Sequence, residues 1–337
     1  FNRCLAKKAF EPCRQENGPF CRPTTKTDGV GMIPIIDWNR SRTDRAELIK
    51  DIGEACRSPG FFILQNPDIP KYLRDEVFDV AKKFFDLPMT EKRKTSILNT
   101  PHYRGWGAKG DESLDETQPE IDTKETFNIG LDLSPDDPRV LAEEPFRGLN
   151  QWPDLPGFRE TLLSYYDAAQ SQGLAVLSII AEDLGLPADH FDSLFQDPLS
   201  ALRMLHYPPA SGARNEIGAG AHTDYGAITL LMTDGEPGLQ VRPRGGDWTD
   251  VPSVENGYIV NIGDCMMRWS NDIYVSTPHR VLPPKNMRHS VAFFVEANPD
   301  TIVAAFPGTG EPKHPPIRAA DYLQSRLDAT YAPKETT

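Results

Sequence analysis

Along residues 202–295 apolar and polar side chains alternate with a period of two. Gly- and Pro-containing turns cut that alternation into short segments at 202–207, 222–232, 239–241, 258–261 and 291–295. Successive side chains on a strand leave opposite faces, so these segments predict an antiparallel β unit with one face of each strand packed. Upstream the period lengthens. Leu48, Ile52 and Ala55 predict a helix over 45–56, and Ser58-Pro59-Gly60 breaks it before a strand at 61–64. Val77, Val80, Ala81, Phe84 and Phe85 predict a second helix, closed by Leu87-Pro88. Phe158, Leu162, Tyr165, Ala169, Val176 and Ile180 predict the longest helix, over 157–186, allowing a drift or bend near Gly173. A short β-branched run at 33–37 predicts the first strand, and Ala320, Leu323 and Leu327 share one face of a final helix at 317–329. Residues 99–154, with several Gly and Pro, read as loop-rich and carry Tyr103, Trp106 and Phe127.

Helices first and short strands afterwards predict a mainly β fold with flanking α: a barrel or jelly-roll core behind an N-terminal helical region. The corresponding division is an arm at 1–30, an N-terminal region at 31–150, a long connecting helix at 151–196, the β core at 197–300, and a C-terminal helix and tail at 301–337. No Gly-rich phosphate loop opens a helix, so the common nucleotide-binding readings fall away.

Charge narrows the partners. Across 337 residues, 36 Lys and Arg stand against 49 Asp and Glu, a net charge of -13 that disfavours nucleic acid and anionic lipid. No apolar run approaches the roughly 20 residues of a membrane span, so the expected partner is a small molecule. Five scattered cysteines, three of them (Cys4, Cys13 and Cys21) in the basic arm, do not make a disulfide framework. The expected compartment is the cytoplasm, with a trimmed targeting segment as the alternative reading of the arm.

Within Ala221-His222-Thr223-Asp224-Tyr225 a His and an Asp stand two apart, so on a strand both side chains leave one face and Thr223 the other. A third ligand would complete two His and one carboxylate on one octahedral face, the set that leaves positions open on Fe(II). His279, in Ser276-Thr277-Pro278-His279-Arg280-Val281 at the expected start of a strand, is the candidate. Further on, Arg288 and Ser290 share a strand face and are suited to grip a carboxylate by a charge-assisted bond and a hydroxyl, with the phenol of Tyr207 beside them. On the residues alone a zinc hydrolase and a non-catalytic sensor stay open beside an iron oxygenase.

His222-Thr223-Asp224, His279 and Arg288-His289-Ser290 resemble the signature of the Fe(II)/2-oxoglutarate-dependent dioxygenases, in their isopenicillin N synthase-like branch. Supporting segments include Gly60-Phe61-Phe62, Lys124-Glu125, His206-Tyr207-Pro208-Pro209 and Trp269-Ser270-Asn271-Asp272, the last two especially similar to thymine hydroxylase-like members. The resemblance spans about residues 30 to 331. It implies a double-stranded β-helix (jelly-roll) core with an N-terminal non-haem dioxygenase region over its mouth. It also implies His222, Asp224 and His279 as ligands of Fe(II), and Arg288, Ser290 and Tyr207 as the site of 2-oxoglutarate.

The implied reaction oxidises a small organic metabolite of secondary metabolism with O2, by hydroxylation, desaturation or ring closure, releasing succinate and CO2. Ascorbate is a candidate reductant, and the alternative is a 2-oxoglutarate-independent Fe(II) oxidase of the isopenicillin N synthase type. Arg203, on the strand face of Tyr207, is a candidate contact for an anionic substrate group or else a salt-bridge residue at the rim. Tyr103 and Trp106 are candidate substrate contacts near the mouth. Asn271 and Trp269 are candidates either for support of His279 or for packing, whereas His206 and His289 should face away from the site.

Overall fold

Asp44 opens helix α1 (Arg45–Arg57), its carboxylate accepting from the Glu47 N–H, and Leu48, Ile52, Ala55 and Cys56 line one buried face. The same periodicity builds α2 (Lys71–Phe85) and α3 (Phe158–Asp183). This computed structural model describes residues 33–112, 114, 121–213 and 216–330. The arm at 1–30, with Cys4, Cys13 and Cys21, lies outside the described residues.

Strands β1 (Ile35–Asp37), β2 (Phe61–Gln65), β3 (Gly105–Gly107), β4 (Glu125–Gly130) and β5 (Ala201–Tyr207) are followed by β6 (Ala219–His222) and β7 (Ile228–Thr233). Then come β8 (Leu239–Val241), β9 (Thr249–Asp250), β10 (Gly257–Ile262), the short helix α4 (Asp264–Trp269), β11 (His279–Val281), β12 (Arg288–Val295) and helix α5 (Ala319–Thr330). An eight-stranded sheet runs β1-β2-β10-β7-β12-β5-β4-β3, and a four-stranded sheet runs β9-β8-β11-β6. All pairings in these two sheets are antiparallel except β1 with β2.

The two sheets face each other as a jelly roll, a double-stranded β-helix, with helices packed on the outer face of the larger one. Alternation sorts the residues. On the helix side Leu202, Met204, Leu230, Val260, Val291 and Phe293 join the large core with α1, α2 and α3. Between the sheets, Phe61, Leu205, Tyr207, Ile259 and Ala292 meet Ala219, Leu239, Val241 and Val281 of the smaller sheet. Each large apolar side chain so buried contributes about 1.5–3 kcal/mol, so the register is held firmly from both sides.

Three expectations change. The stretch at 99–154 is not all loop: β3 and β4 extend the large sheet at its edge, Phe127 pairing with Met204 of β5. Five of the six β4 residues are buried, so the period of two that marks a half-exposed strand is missing. Helix α3 runs unbroken through Gly173, where the sequence reading allowed a drift or bend. A Cβ there would stand 2.6 Å from Val295 Cγ2, so the glycine serves the close approach of α3 to β12. The segment at 222–232 is two strands, β6 and β7, with residues 223–227 turning between them.

Candidate metal centre

His222 ends β6 and His279 begins β11, and the two are direct partners across that antiparallel pair. A register irregularity follows between His279 and Val281, the kind of bulge that re-aims side chains at a site. Their rings lie 4.3 Å apart between centroids, and the edge of Phe61 meets His279 at 5.5 Å. Asp224 lies in the turn after β6. It is therefore the turn and not a shared strand face that carries its carboxylate to the histidines, which corrects the geometry expected from two-residue spacing.

Asp224 Oδ1 stands 3.8 Å from His222 Nε2 and 3.6 Å from His279 Nε2, and one ligand atom from each residue lies within 4.8 Å of the others. Each imidazole is held by its other nitrogen: His222 Nδ1 donates to the Gly220 carbonyl at 2.7 Å and His279 Nδ1 to that of Thr277 at 3.3 Å. Both Nε2 lone pairs are thereby turned toward the gap, as a metal ligand requires. Asp224 Oδ2 accepts from Thr229 Oγ1 at 2.6 Å and Asn261 Nδ2 at 2.7 Å, which leaves Oδ1 for the gap. Burial, followed by the neighbouring His279, pulls His222 down to about 3, so that imidazole is neutral and able to ligate. Burial pushes Asp224 upward, but His279, His222 and the two hydrogen bonds outweigh it and hold the carboxyl below its usual range. This set of donors fits a divalent iron.

The gap opens into a cavity between the sheets, lined by alternate residues of the strands. Arg288, Ser290, Ala292 and Phe294 reach it from β12, Arg203, Leu205 and Tyr207 from β5, and Thr229 and Leu231 from β7. Leu323 and Leu327 of α5 close one side. Arg288 is 1% exposed, lies over the Tyr207 ring at 4.8 Å, and approaches Ser290 Oγ at 3.5 Å. Its Nε donates to the Glu236 carbonyl at 3.2 Å, yet among the described residues no carboxylate pairs with it.

Arg203 and Tyr103 line the same cavity. Arg203 also donates to Asn128 Oδ1 at 2.8 Å and pairs with Glu112 at 3.3 Å, so it is a salt-bridge residue that also lines the cavity. Tyr103 meets α5 through Gln324 and Asp328. Trp106 is corrected: it does not line the cavity but packs in the helix-side core, its indole N–H donating to Glu125 Oε2 at 3.0 Å. On β3 its side chain takes the face opposite the cavity, which loop-level proximity had hidden.

Asn271 and Trp269 do not support His279. Asn271 Nδ2 donates to the carbonyls of Thr309 and Glu311, and Trp269 stacks on Phe306. His206 and His289 stack on each other at 5.1 Å on the helix side, as their parity predicts.

Sequence reasoning missed Thr229, Asn261, Lys124 and Glu296. The first two were legible as lone polar residues on the cavity parity of apolar strands. Lys124, 3% exposed, bonds Asp122 at 2.6 Å, and Asp122 in turn accepts from the Gly220 N–H at 3.0 Å, bracing β6.

Two histidines and one carboxylate around an open gap, between the sheets of a jelly roll, define a metal-dependent oxygenase site. The comparisons agree. Residues 33–155 match the family described as non-haem dioxygenase in morphine synthesis N-terminal, and residues 198–297 match the 2OG-Fe(II) oxygenase superfamily.

The chain is 36% identical to the 2-oxoglutarate-Fe(II) type oxidoreductase hxnY of Emericella nidulans, covering 90% of this chain and 91% of that one. It is 35% identical to clavatol oxidase of Penicillium crustosum, over 90% of this chain and 96% of the other. The solved structure of the full-length thymine hydroxylase from Neurospora crassa in complex with alpha-KG superposes with a TM-score of 0.79 at 33% identity, over 90% of this chain and 98% of that one. The chain belongs to the 2OG-Fe(II) oxygenase superfamily, in its isopenicillin N synthase-like family. It is an Fe(II)- and 2-oxoglutarate-dependent dioxygenase that oxidises a small organic metabolite.

Proposed function

We propose that Nε2 of His222, Oδ1 of Asp224 and Nε2 of His279 hold the iron, and that Arg288, Ser290 and Tyr207 fix the far carboxylate of 2-oxoglutarate in the adjoining cavity. The observation that carries this reading is the buried Arg288 guanidinium, which faces the same cavity as the triad and has no carboxylate partner among the described residues. An unpaired buried cation costs several kcal/mol, and a bound dicarboxylate removes that cost.

When bound, the iron and 2-oxoglutarate supply the oxidising chemistry, with O2 as oxidant and succinate and CO2 as by-products. The chain's own residues do the rest. The Gly220 and Thr277 carbonyls orient the imidazoles, Thr229 and Asn261 orient the carboxylate, and Leu231, Leu323, Leu327 and Phe294 keep water from the cavity.

The prime substrate is a small organic compound contacted by Tyr103 and Arg203, and the shape of the cavity sets hydroxylation, desaturation or ring closure. The Neurospora crassa thymine hydroxylase solved with thymine, and clavatol oxidase among the relatives, support a compact organic substrate. The working compartment is the cytoplasm, a reading supported by Cys56 and Cys265, which are buried free thiols. No helix among the described residues is long and apolar enough to cross a membrane.

Titration calorimetry of 2-oxoglutarate into the Mn(II)-loaded protein tests the assignment. Arg288→Gln should weaken binding by about 30-fold or more, about 2–5 kcal/mol for truncating one side of a buried charge pair. Unchanged affinity in that variant would remove Arg288 from the co-substrate site.

A further inference from the structure

The cavity parity of β12 continues one residue past the strand. After Arg288, Ser290, Ala292 and Phe294 comes Glu296, 6% exposed and also on the cavity wall. Its backbone is pinned on both sides by Ser200, whose Oγ accepts from the Glu296 N–H at 3.0 Å and donates to the Glu296 carbonyl at 3.3 Å. The side chain is thereby committed to one direction.

That direction is toward the turn carrying Asp224. A Cβ built on Gly226 would stand 2.5–2.7 Å from the Glu296 carboxyl atoms, so the carboxyl lies directly on the Gly226 backbone, two residues from Asp224. Among the described residues no hydrogen bond or ion pair engages the Glu296 carboxyl oxygens. Buried carboxyls are ordinarily paired or hydrogen-bonded, and one left open on a cavity wall invites a partner from the cavity.

The nearby charges select that partner. The neighbours that act on Glu296 are Asp224 and Asp264, both acidic, and Asp264 is already engaged by Tyr322 and Thr223. Neither acidic neighbour can donate to it, so the partner left for the Glu296 carboxyl is an N–H or O–H donor from the cavity. We propose that Glu296 is a specificity-determining residue that hydrogen-bonds an N–H or O–H of the prime substrate, holding it beside the metal centre. Lactams, amides and phenols are the fitting classes, with the apolar remainder against Phe294, Leu323 and Leu327. This inference rests on the assignment of the cavity to 2-oxoglutarate and substrate made above.

The test uses matched pairs: aromatic lactams and phenols, each beside its N-methyl or O-methyl counterpart, titrated by ligand-observed NMR into the Mn(II)- and 2-oxoglutarate-loaded protein. Wild type should prefer the N–H or O–H member by about tenfold or more, because a methylated partner leaves the buried carboxyl unpaired. Glu296→Gln, which keeps a carbonyl acceptor at the same place, should retain the preference to within about threefold, and Glu296→Leu should abolish it. If Glu296→Leu does not melt cooperatively, the wild-type pairs and Glu296→Gln decide. Pairs that wild type does not distinguish, a panel in which no N–H or O–H member binds, or a preference that survives in Glu296→Leu, overturns the proposal. Calorimetry of 2-oxoglutarate alone separates the failures: no co-substrate binding overturns the cavity assignment and this inference together, whereas intact co-substrate binding without discrimination overturns this inference only.

Discussion

Strand β12 presents Arg288, Ser290 and Ala292 to the cavity and His289, Val291 and Phe293 to the helices, and its two faces differ in how their demands are met. On the helix face the chain satisfies itself. Phe293 is fully buried against Tyr166, their rings edge to face at 5.0 Å, and His289 Nδ1 lies 3.3 Å from Asp234 Oδ2. On the cavity face Arg288 has no carboxylate partner among the described residues, and Asp224 Oδ1 and two imidazole nitrogens point into a gap. What the second face leaves open is what a metal and a dicarboxylate complete, so substitutions on the two faces should fail in different ways.

The largest effect should come from the ligands. His222→Ala or Asp224→Ala should reduce iron content from one equivalent to none and stop succinate formation, while the far-UV spectrum stays native. Bound iron with continuing substrate-dependent succinate release in either variant would contradict the triad.

Next, Phe293→Ala should destabilise the fold by about 3–5 kcal/mol through the cavity it leaves, read by denaturant unfolding. The molecules that remain folded should bind 2-oxoglutarate as wild type does. Arg288→Gln is its mirror: lost co-substrate affinity with an unchanged or raised melting temperature, because the substitution removes a buried charge that has no carboxylate partner among the described residues. A fall in stability as large as that of Phe293→Ala would show the two faces to be alike.

Smaller still, Asn261→Ala or Thr229→Ala should weaken iron binding by about 10–100-fold, since each removes one of the bonds that aim Asp224. Competition with a metal-chelating dye reads this. The smallest effect belongs to Trp106→Phe, which should cost about 1 kcal/mol for the lost bond to Glu125 and leave substrate KM unchanged. A shift in KM would return Trp106 to the substrate site.

Much of this molecule was legible in order along the chain. The period of two placed Arg288 with Ser290 and Tyr207 with Arg203, because side-chain parity on a strand is local geometry that no distant contact alters. The same rule correctly set His206 and His289 aside. It failed where the local rule did not apply. Asp224 sits in a turn, where two-residue spacing carries no parity, and β4 is covered on both faces, so its burial erases the alternation that would have announced it. The use of Gly173 was not legible within its helix, since only Val295 on a distant strand shows what the missing side chain is for.

The sequence by itself thus determined most of the helices and central strands, the parity along those strands and the identity of the residues able to bind metal and carboxylate. Which of them meet was decided by tertiary structure. Pairing β6 with β11 sets His222 opposite His279, pairing β12 with β5 sets Arg288 opposite Tyr207, and closing the two sheets brings Thr229 and Asn261 onto Asp224. Pairing between segments far apart in the chain is set by the burial of both faces together, and no local pattern encodes it. The triad was therefore readable as three residue types with suitable spacing, and it becomes a centre only where the sheets close.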